Sequence, residues 1–186
     1  TTTFTNDDLA ALLDGKHVPH ILAGSGYVTG SASLSYRSEA FTVSYQGVSA
    51  DMIRVENMSV AHGAFFTRED EFGLARSMVL GATRANDLFG GEDPIGKRVS
   101  LGDVTFTVVG VLASRGSAGF SNADESVYVP LETAQKLLLG IRYLNFARIK
   151  TDDEKNIPFV VSEMRSILRE RHNLRGSDPD DFSIRN

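Results

Sequence analysis

The sequence predicts an α+β domain. Alternating apolar residues, typical of strands, occur in residues 31–49 and 97–112, whereas residues 157–172 carry apolar residues at helical spacing. The mixture of the two patterns favours helices packed on a sheet. We expect two lobes: one of helices on a sheet, built from residues 1–50 and 127–186, and a mostly β lobe inserted at residues 51–126.

Composition limits the functions that the chain can have. Its 186 residues fit one domain or two small subdomains, and 41% hydrophobic with 23% charged residues is ordinary for a globular chain. A net charge of −5 argues against a nucleic-acid partner. The absence of cysteine excludes disulfides, thiol catalysis and zinc–thiolate sites. The apolar runs fall short of the roughly 18–20 residues of a membrane span, and a start at Thr1 without methionine suggests a piece of a longer protein.

The first quarter of the chain predicts a helix followed by strands. A helix is expected over residues 6–13, with Thr5 as its N-cap and Asp7 and Asp8 in its first turn, where the helix dipole favours negative charge. Residues 18–28 are expected to be extended but broken by glycines. Residues 31–36 and 41–49 are expected to form a hairpin.

The middle of the chain predicts a strand, a helix and a second hairpin. The strand covers residues 78–80, and the helix covers residues 83–89 and stops at Gly90 and Gly91. The hairpin arms are residues 97–101 and 104–112. Gly102 and Asp103 between them suit a two-residue turn.

The last third predicts a loop, then two strands and two helices in alternation. Residues 114–126 are rich in serine and glycine and predict a loop. Strands are expected at 127–129 and 144–149, and helices at 132–139 and 157–172. A final strand is expected at 182–185.

One segment resembles a phosphate-binding loop without meeting its requirements. Residues 91–98 read GEDPIGKR, but Arg98 replaces the hydroxyl residue that would hold magnesium. Glu92 repels phosphate, Pro94 lacks a backbone N–H, and the loop follows a helix instead of opening one. We therefore expect a turn and no nucleotide here.

The histidines and the charged clusters are also better explained by structural roles than by metal binding or catalysis. His17, His20 and His62 lack a carboxylate pattern that would complete a metal site, so we expect exposed or capping histidines. His172 is expected at a helix end, where positive charge suits the dipole. The acidic groups read as solvated caps, including the one formed by Asp178, Asp180 and Asp181. The basic side of the last helix, with Arg165, Arg169 and Arg171, reads as solvated, with a partner surface as the alternative. We expect no catalytic residues, no bound cofactor and no metal.

Several motifs together carry a resemblance to a known family. LFGGEDPIGKRV, VTFTVVGVLAS and SVYVPLETAQKLLLG occur in this order, preceded by HGAFFTRED and followed by LRERHNL and DDFSIRN. The set resembles the periplasmic core domain of MacB-type (FtsX-like) ABC transporter permeases. One departure is Ala64, at a position where the family usually has arginine.

The resemblance implies a fold, a location and partners. The lobe built from both chain ends would be similar to the porter folds of efflux pumps. The chain would lie between the first two membrane helices of a permease, on the extracytoplasmic side of the cell membrane, in the periplasm or on the outer face. It would dimerise with a second permease copy. ATP would be bound and hydrolysed by a separate or fused ATPase, and an extracytoplasmic adaptor protein is a further possible partner.

The resemblance also implies a mechanical function. The domain would couple cytoplasmic ATP hydrolysis to export or to a partner protein outside the membrane. Family members that release lipoproteins or regulate cell-wall hydrolases are alternatives, as are an extracellular ligand-binding module and a hydrolase with an unrecognised site. We expect partner contacts at the hairpin tips and in the loop formed by Gly116, Ser117, Ala118, Gly119, Phe120, Ser121 and Asn122.

Overall fold

The computed structural model describes residues 3–14, 18–115 and 123–186. Its helices are α1 (Asn6–Leu13), α2 (Met52–Val55), α3 (Arg68–Phe72), α4 (Ala82–Phe89), α5 (Leu131–Thr133, continued by a π-helical segment Ala134–Leu139) and α6 (Ile157–Arg171). Its strands are β1 (Ile21–Tyr36), β2 (Glu39–Val48), β3 (Val60–Gly63), β4 (Ser77–Leu80), β5 (Arg98–Leu101), β6 (Val104–Leu112), β7 (Val127–Pro130) and β8 (Phe146–Thr151). The predicted α+β class is confirmed.

The strands form one sheet that closes on itself. The pairing runs β2–β7–β4–β6–β5–β1, and β1 also pairs with β2, which completes a ring. The remaining strands extend the ring, because β8 pairs with the first half of β1 and β3 pairs with β6. Pairs β1–β5 and β4–β7 join strands from the two predicted lobes. The boundaries of those lobes stay a prediction.

The interior of the ring is the main hydrophobic core. Every strand of the ring contributes buried residues to a single cluster, among them Leu34 of β1, Met78 of β4, Leu101 of β5 and Phe106 of β6. Leu34 faces Leu101 across the β1–β5 pair. Alternation in each strand therefore points one set of side chains inward, as expected for a strand with one buried face.

The predicted hairpin of residues 97–112 is confirmed as β5–β6. Leu101 and Val104 are paired across the turn, and Gly102 has a φ of +58°. A positive φ costs glycine little because it has no Cβ, which explains a glycine at the first central position of the turn. The β1–β2 hairpin is likewise confirmed, with Tyr36 facing Glu39.

A second layer covers one side of β8 and of the first half of β1. Helices α1 and α6 pack there around a cluster that includes Leu12, Val160, Met164 and Leu168. The last three residues belong to the apolar stripe predicted for α6. Gly24 of β1 lets α1 approach, because an added Cβ would lie 2.5 Å from Leu13 Cδ2.

Three details of the sequence prediction are wrong. No strand forms at residues 182–185, where Phe182 and Ile184 instead pack against the α6 cluster. β1 is not broken at its glycines but runs unbroken for 16 residues. The helix predicted at residues 132–139 turns π-helical from Ala134 onward.

Candidate functional site

The two ends of the chain meet beside α6. His172 directly follows the last residue of α6, and its ring lies between two carboxylates. Nε2 is 2.9 Å from Asp8 Oδ2 on α1, and Nδ1 is 2.7 Å from Asp181 Oδ1 in the C-terminal tail, residues 173–186. The side chains of His172 and Asp8 are each 5% exposed. We call Asp8, Arg171, His172 and Asp181 the end junction.

Asp8 has a partner for each of its carboxylate oxygens. Oδ1 accepts a hydrogen bond from Arg171 Nε at 2.8 Å, and Oδ2 accepts one from the Thr5 backbone N–H at 3.1 Å. The second bond belongs to a capping box, in which Thr5 Oγ1 accepts from the Asp8 backbone N–H. Burial raises the pKa of the Asp8 carboxyl, but the hydrogen bonds from His172, Arg171 and Thr5 outweigh it, so the pKa falls below 3.8.

The same geometry favours the charged form of the His172 ring. Burial lowers the pKa of the imidazole, but the hydrogen bonds to Asp181 and Asp8 outweigh this effect and raise the pKa above 6.5. The rings of His172 and Phe182 are nearly perpendicular to each other, with their centroids 6.0 Å apart. The end junction therefore ties α1, α6 and the tail together with charged hydrogen bonds.

Further bonds fasten the tail to α6. Arg169 Nη1 is 2.6 Å from Asp180 Oδ1, and Arg165 Nε is 3.2 Å from Asp180 Oδ2. Arg169 also donates to the backbone oxygens of Asp178 and Gly176. The basic side of α6, predicted to be solvated, thus binds the chain's own C-terminal segment.

The opposite face of β8 carries a second polar cluster. Tyr27 Oη donates to Glu56 Oε2 at 2.7 Å, and Arg148 Nη1 lies 2.7 Å from Glu56 Oε1. Phe146 stacks on Tyr27 with ring centroids 4.7 Å apart. Burial, followed by the bond to Glu56, raises the pKa of the Tyr27 hydroxyl, so this residue stays protonated. The cluster attaches β8 to the segment after α2.

A groove of about 820 Å³ runs along β8. Its walls are β8, α6 and the tail, and they include apolar side chains such as Val160 and Phe182. His172 and Asp181 lie at its lining, so the end junction borders this groove.

The structure places the remaining predicted candidates in structural roles or outside its described ranges. His20 Nδ1 is 2.8 Å from Asp152 Oδ2, and His62 lies exposed on β3. Residues 91–98 form the turn between α4 and β5, where Glu92 accepts a hydrogen bond from Tyr36. His17 and the predicted contact loop, Gly116–Asn122, lie outside the described residues, and the contact role of that loop stays a prediction.

The described residues contain neither a metal-binding cluster nor a membrane-spanning helix. Among residues 3–14, 18–115 and 123–186, no group of three His, Cys, Asp or Glu side chains could hold a metal ion. None of the helices within these ranges is long and apolar enough to cross a membrane.

Sequence reasoning missed the end junction. It placed Asp8 in the first turn of a helix and His172 at a helix end, and both positions are correct. No local pattern indicates that these two residues meet, because 164 positions separate them in the sequence.

Comparison with known proteins identifies the family. Residues 1–167 match the family model described as MacB-like periplasmic core domain. A macrolide export ATP-binding/permease protein MacB of Chlorobaculum tepidum is 34% identical over 185 residues, which are 99% of this chain and 28% of that protein. The chain thus spans about 28% of the length of this relative.

Two solved structures share the fold. The periplasmic region of MacB from Actinobacillus actinomycetemcomitans matches with a TM-score of 0.80 at 20% identity, over 93% of this chain and 76% of that one. The extracellular domain of the noncanonic ABC-type transporter YknZ from Gram-positive bacteria matches with a TM-score of 0.78 at 22% identity, over 93% and 86%. The family model matches most of the chain, and the Chlorobaculum tepidum relative is 34% identical to it. The chain therefore belongs to the MacB-like periplasmic core domain family.

Proposed function

We propose that this chain is the non-catalytic extracytoplasmic domain of an ABC transporter permease. It converts movement of the membrane helices, driven by ATP hydrolysis in the cytoplasm, into movement of a cargo or partner protein outside the membrane. Family membership supports the location, because the matching family is described as periplasmic. The name of the Chlorobaculum tepidum relative supports the link to ATP and makes a macrolide the first cargo to test.

The end junction is the observation that carries the mechanical role. In the proposed arrangement both ends of the chain continue into membrane helices, so any movement of those helices enters the domain at α1 and at the tail. The end junction joins α1, α6 and the tail by hydrogen bonds of 2.7–2.9 Å between charged groups. A displacement of either end therefore moves the other end and the sheet beneath them together.

The proposal includes partners that the chain itself does not contain. An ATPase, fused or separate, supplies the energy, and a second permease copy forms the other half of the moving unit. An extracytoplasmic adaptor protein is a further proposed partner. The domain itself holds no cofactor in this proposal, and the ATP stays on the ATPase.

Removing hydrogen bonds of the end junction is expected to uncouple transport from ATP hydrolysis. His172→Gln in the full-length permease removes one of the two ring hydrogen bonds. Movement of the membrane helices then shifts α1 and the tail relative to α6 and is not passed on to the rest of the domain. We expect ATP hydrolysis close to that of the parent protein and macrolide export reduced severalfold. Both rates are measured in the same vesicles and normalised to the amount of permease present.

A matched variant controls for the loss of a histidine. His62→Gln changes an exposed residue of β3, and we expect it to keep both rates. If His172→Gln lowers hydrolysis and export in equal proportion, or leaves both unchanged, the mechanical role of the end junction is wrong.

A further inference from the structure

We propose that the end junction is a pH-dependent contact that holds the two ends of the chain on α6. The protonated ring of His172 ties both α1 and the tail to α6, and loss of its proton releases one of the two. This inference concerns the chain by itself and does not rest on the proposed function.

Hydrogen-bond geometry requires the charged ring. Each ring nitrogen of His172 faces a carboxylate oxygen, at 2.9 Å for Asp8 and 2.7 Å for Asp181. Ionised carboxylates only accept hydrogen bonds, so both ring nitrogens must donate. A neutral imidazole has a single N–H, and only the imidazolium has two. Both contacts are therefore satisfied together only while His172 is protonated.

Charge balance on the side of α1 leads to the same conclusion. Asp8 carries one negative charge, and Arg171, which donates to its other oxygen, carries one positive charge. Protonated His172 adds a positive charge, so these four side chains sum to zero. With a neutral ring the same four groups carry one net negative charge beside a side chain that is 5% exposed. Burial makes such an imbalance costly.

The cations of α6 on the side of the tail pair with a neighbouring carboxylate. Asp180, next to Asp181, is paired with Arg165 and Arg169 of α6. These two cations are therefore engaged with a different carboxylate. Lys155 pairs with Asp153 near the opposite end of α6. The His172 ring lies between the carboxylates of Asp181 and Asp8.

The pH window follows from the direction of the shift. The pKa of His172 is raised above 6.5 in the folded chain, so the folded state binds the proton more tightly than the unfolded state does. The stabilisation is fully present below 6.5 and is lost as the pH rises through the folded pKa. Asp8 contributes in the opposite direction, because its lowered pKa makes its contribution disappear as the pH falls below 3.8. The end junction is therefore tightest between these two limits.

A histidine titration of the 186-residue chain tests the proposal. The chain has four histidines, so their ring resonances can be assigned by single substitutions and followed by nitrogen-15 NMR. We expect both ring nitrogens of His172 to carry protons at about pH 6, and its pKa to lie above the ordinary value of about 6.5. The amide exchange rates of α1 and of residues 180–184 should rise as the pH passes through that pKa, beyond the increase that the chemistry of exchange itself produces.

Three variants separate the switch from a general pH effect. His172→Gln should abolish the pH-dependent step in amide exchange, whereas the exposed-site control His62→Gln should keep it. Asp181→Asn should lower the pKa of His172, because it replaces a charged acceptor with a neutral one. The proposal is overturned if His172 titrates at or below its ordinary pKa, or if α1 and the tail respond equally in parent and His172→Gln chains. If His172→Gln does not fold, the titration of the parent chain and of Asp181→Asn decides.

Discussion

Phe106→Ala is expected to lower the free energy of unfolding by about 3–5 kcal/mol. Phe106 is 1% exposed, lies inside the closed ring and faces Val99 across the β5–β6 pair. The residues in the same core cluster belong to different strands of the closed sheet. Because the sheet is closed, these strands cannot move inward to fill the cavity that loss of the phenyl group leaves. Urea denaturation followed by circular dichroism measures the change.

Phe72→Ala is the matched control for this prediction. Phe72 belongs to the short helix α3 and is 67% exposed, so its truncation should change the unfolding free energy by less than about 0.5 kcal/mol. Similar losses for the two phenylalanines would contradict the closed ring as the main core.

Asp8→Ala is expected to lower the free energy of unfolding by about 2–4 kcal/mol. It leaves Arg171 and His172 without their shared acceptor at a site where Asp8 is 3% exposed, and it removes one bond of the α1 capping box. Urea denaturation near neutral pH measures the loss. The loss should shrink at higher pH, because neutral His172 gains less from the Asp8 carboxylate.

Asp70→Ala isolates the capping contribution. Asp70 occupies the same capping-box position in α3, where its side chain accepts from the Thr67 backbone N–H, and it is half-buried, in contrast to the buried Asp8. We expect a loss of about 0.5–1 kcal/mol. Equal losses for Asp8→Ala and Asp70→Ala would mean that the buried ion pairs add nothing to the stability of the fold.

Elements with local signals were predictable from the sequence. Thr5 and Asp8 indicated the start of α1, the alternation of residues 97–112 indicated β5–β6, and the apolar stripe indicated α6. Each signal depends on residues that are close in sequence, such as a cap and its helix or two strands joined by a two-residue turn.

Closure of the ring was not predictable in this way. β2 pairs in parallel with β7, where Tyr45 faces Val127 although the two residues are far apart in the sequence, and nothing in either strand specifies this partner. Gly110 interrupts the apolar sequence of β6. The structure gives it a specific role, because an added Cβ would lie 2.2 Å from the Ala64 backbone oxygen, where the end of β3 passes over β6.

The alternating apolar residues of the tail can be buried in two ways, in a strand or against a helix. Phe182 and Ile184 alternate with polar residues, which predicts a strand, but packing both side chains against α6 buries them as well. The choice depends on Arg169 and Arg165, which hold Asp180 on α6. The family could be inferred from motifs in order, whereas the end junction required the three-dimensional structure.

Pulsed electron spin resonance shows whether the domain moves as a rigid body when the permease binds ATP. The 186 residues contain no cysteine, so Ala10→Cys on α1 and Ser166→Cys on α6, both exposed, can carry spin labels in a full-length permease whose cysteines elsewhere, if any, are replaced. We expect the distance between the two labels within one domain to be the same with and without ATP trapped on the ATPase. We also expect a changed distance between Ser166→Cys labels in the two copies. A within-domain distance that shifts with ATP, while the distance between copies stays constant, would contradict both expectations.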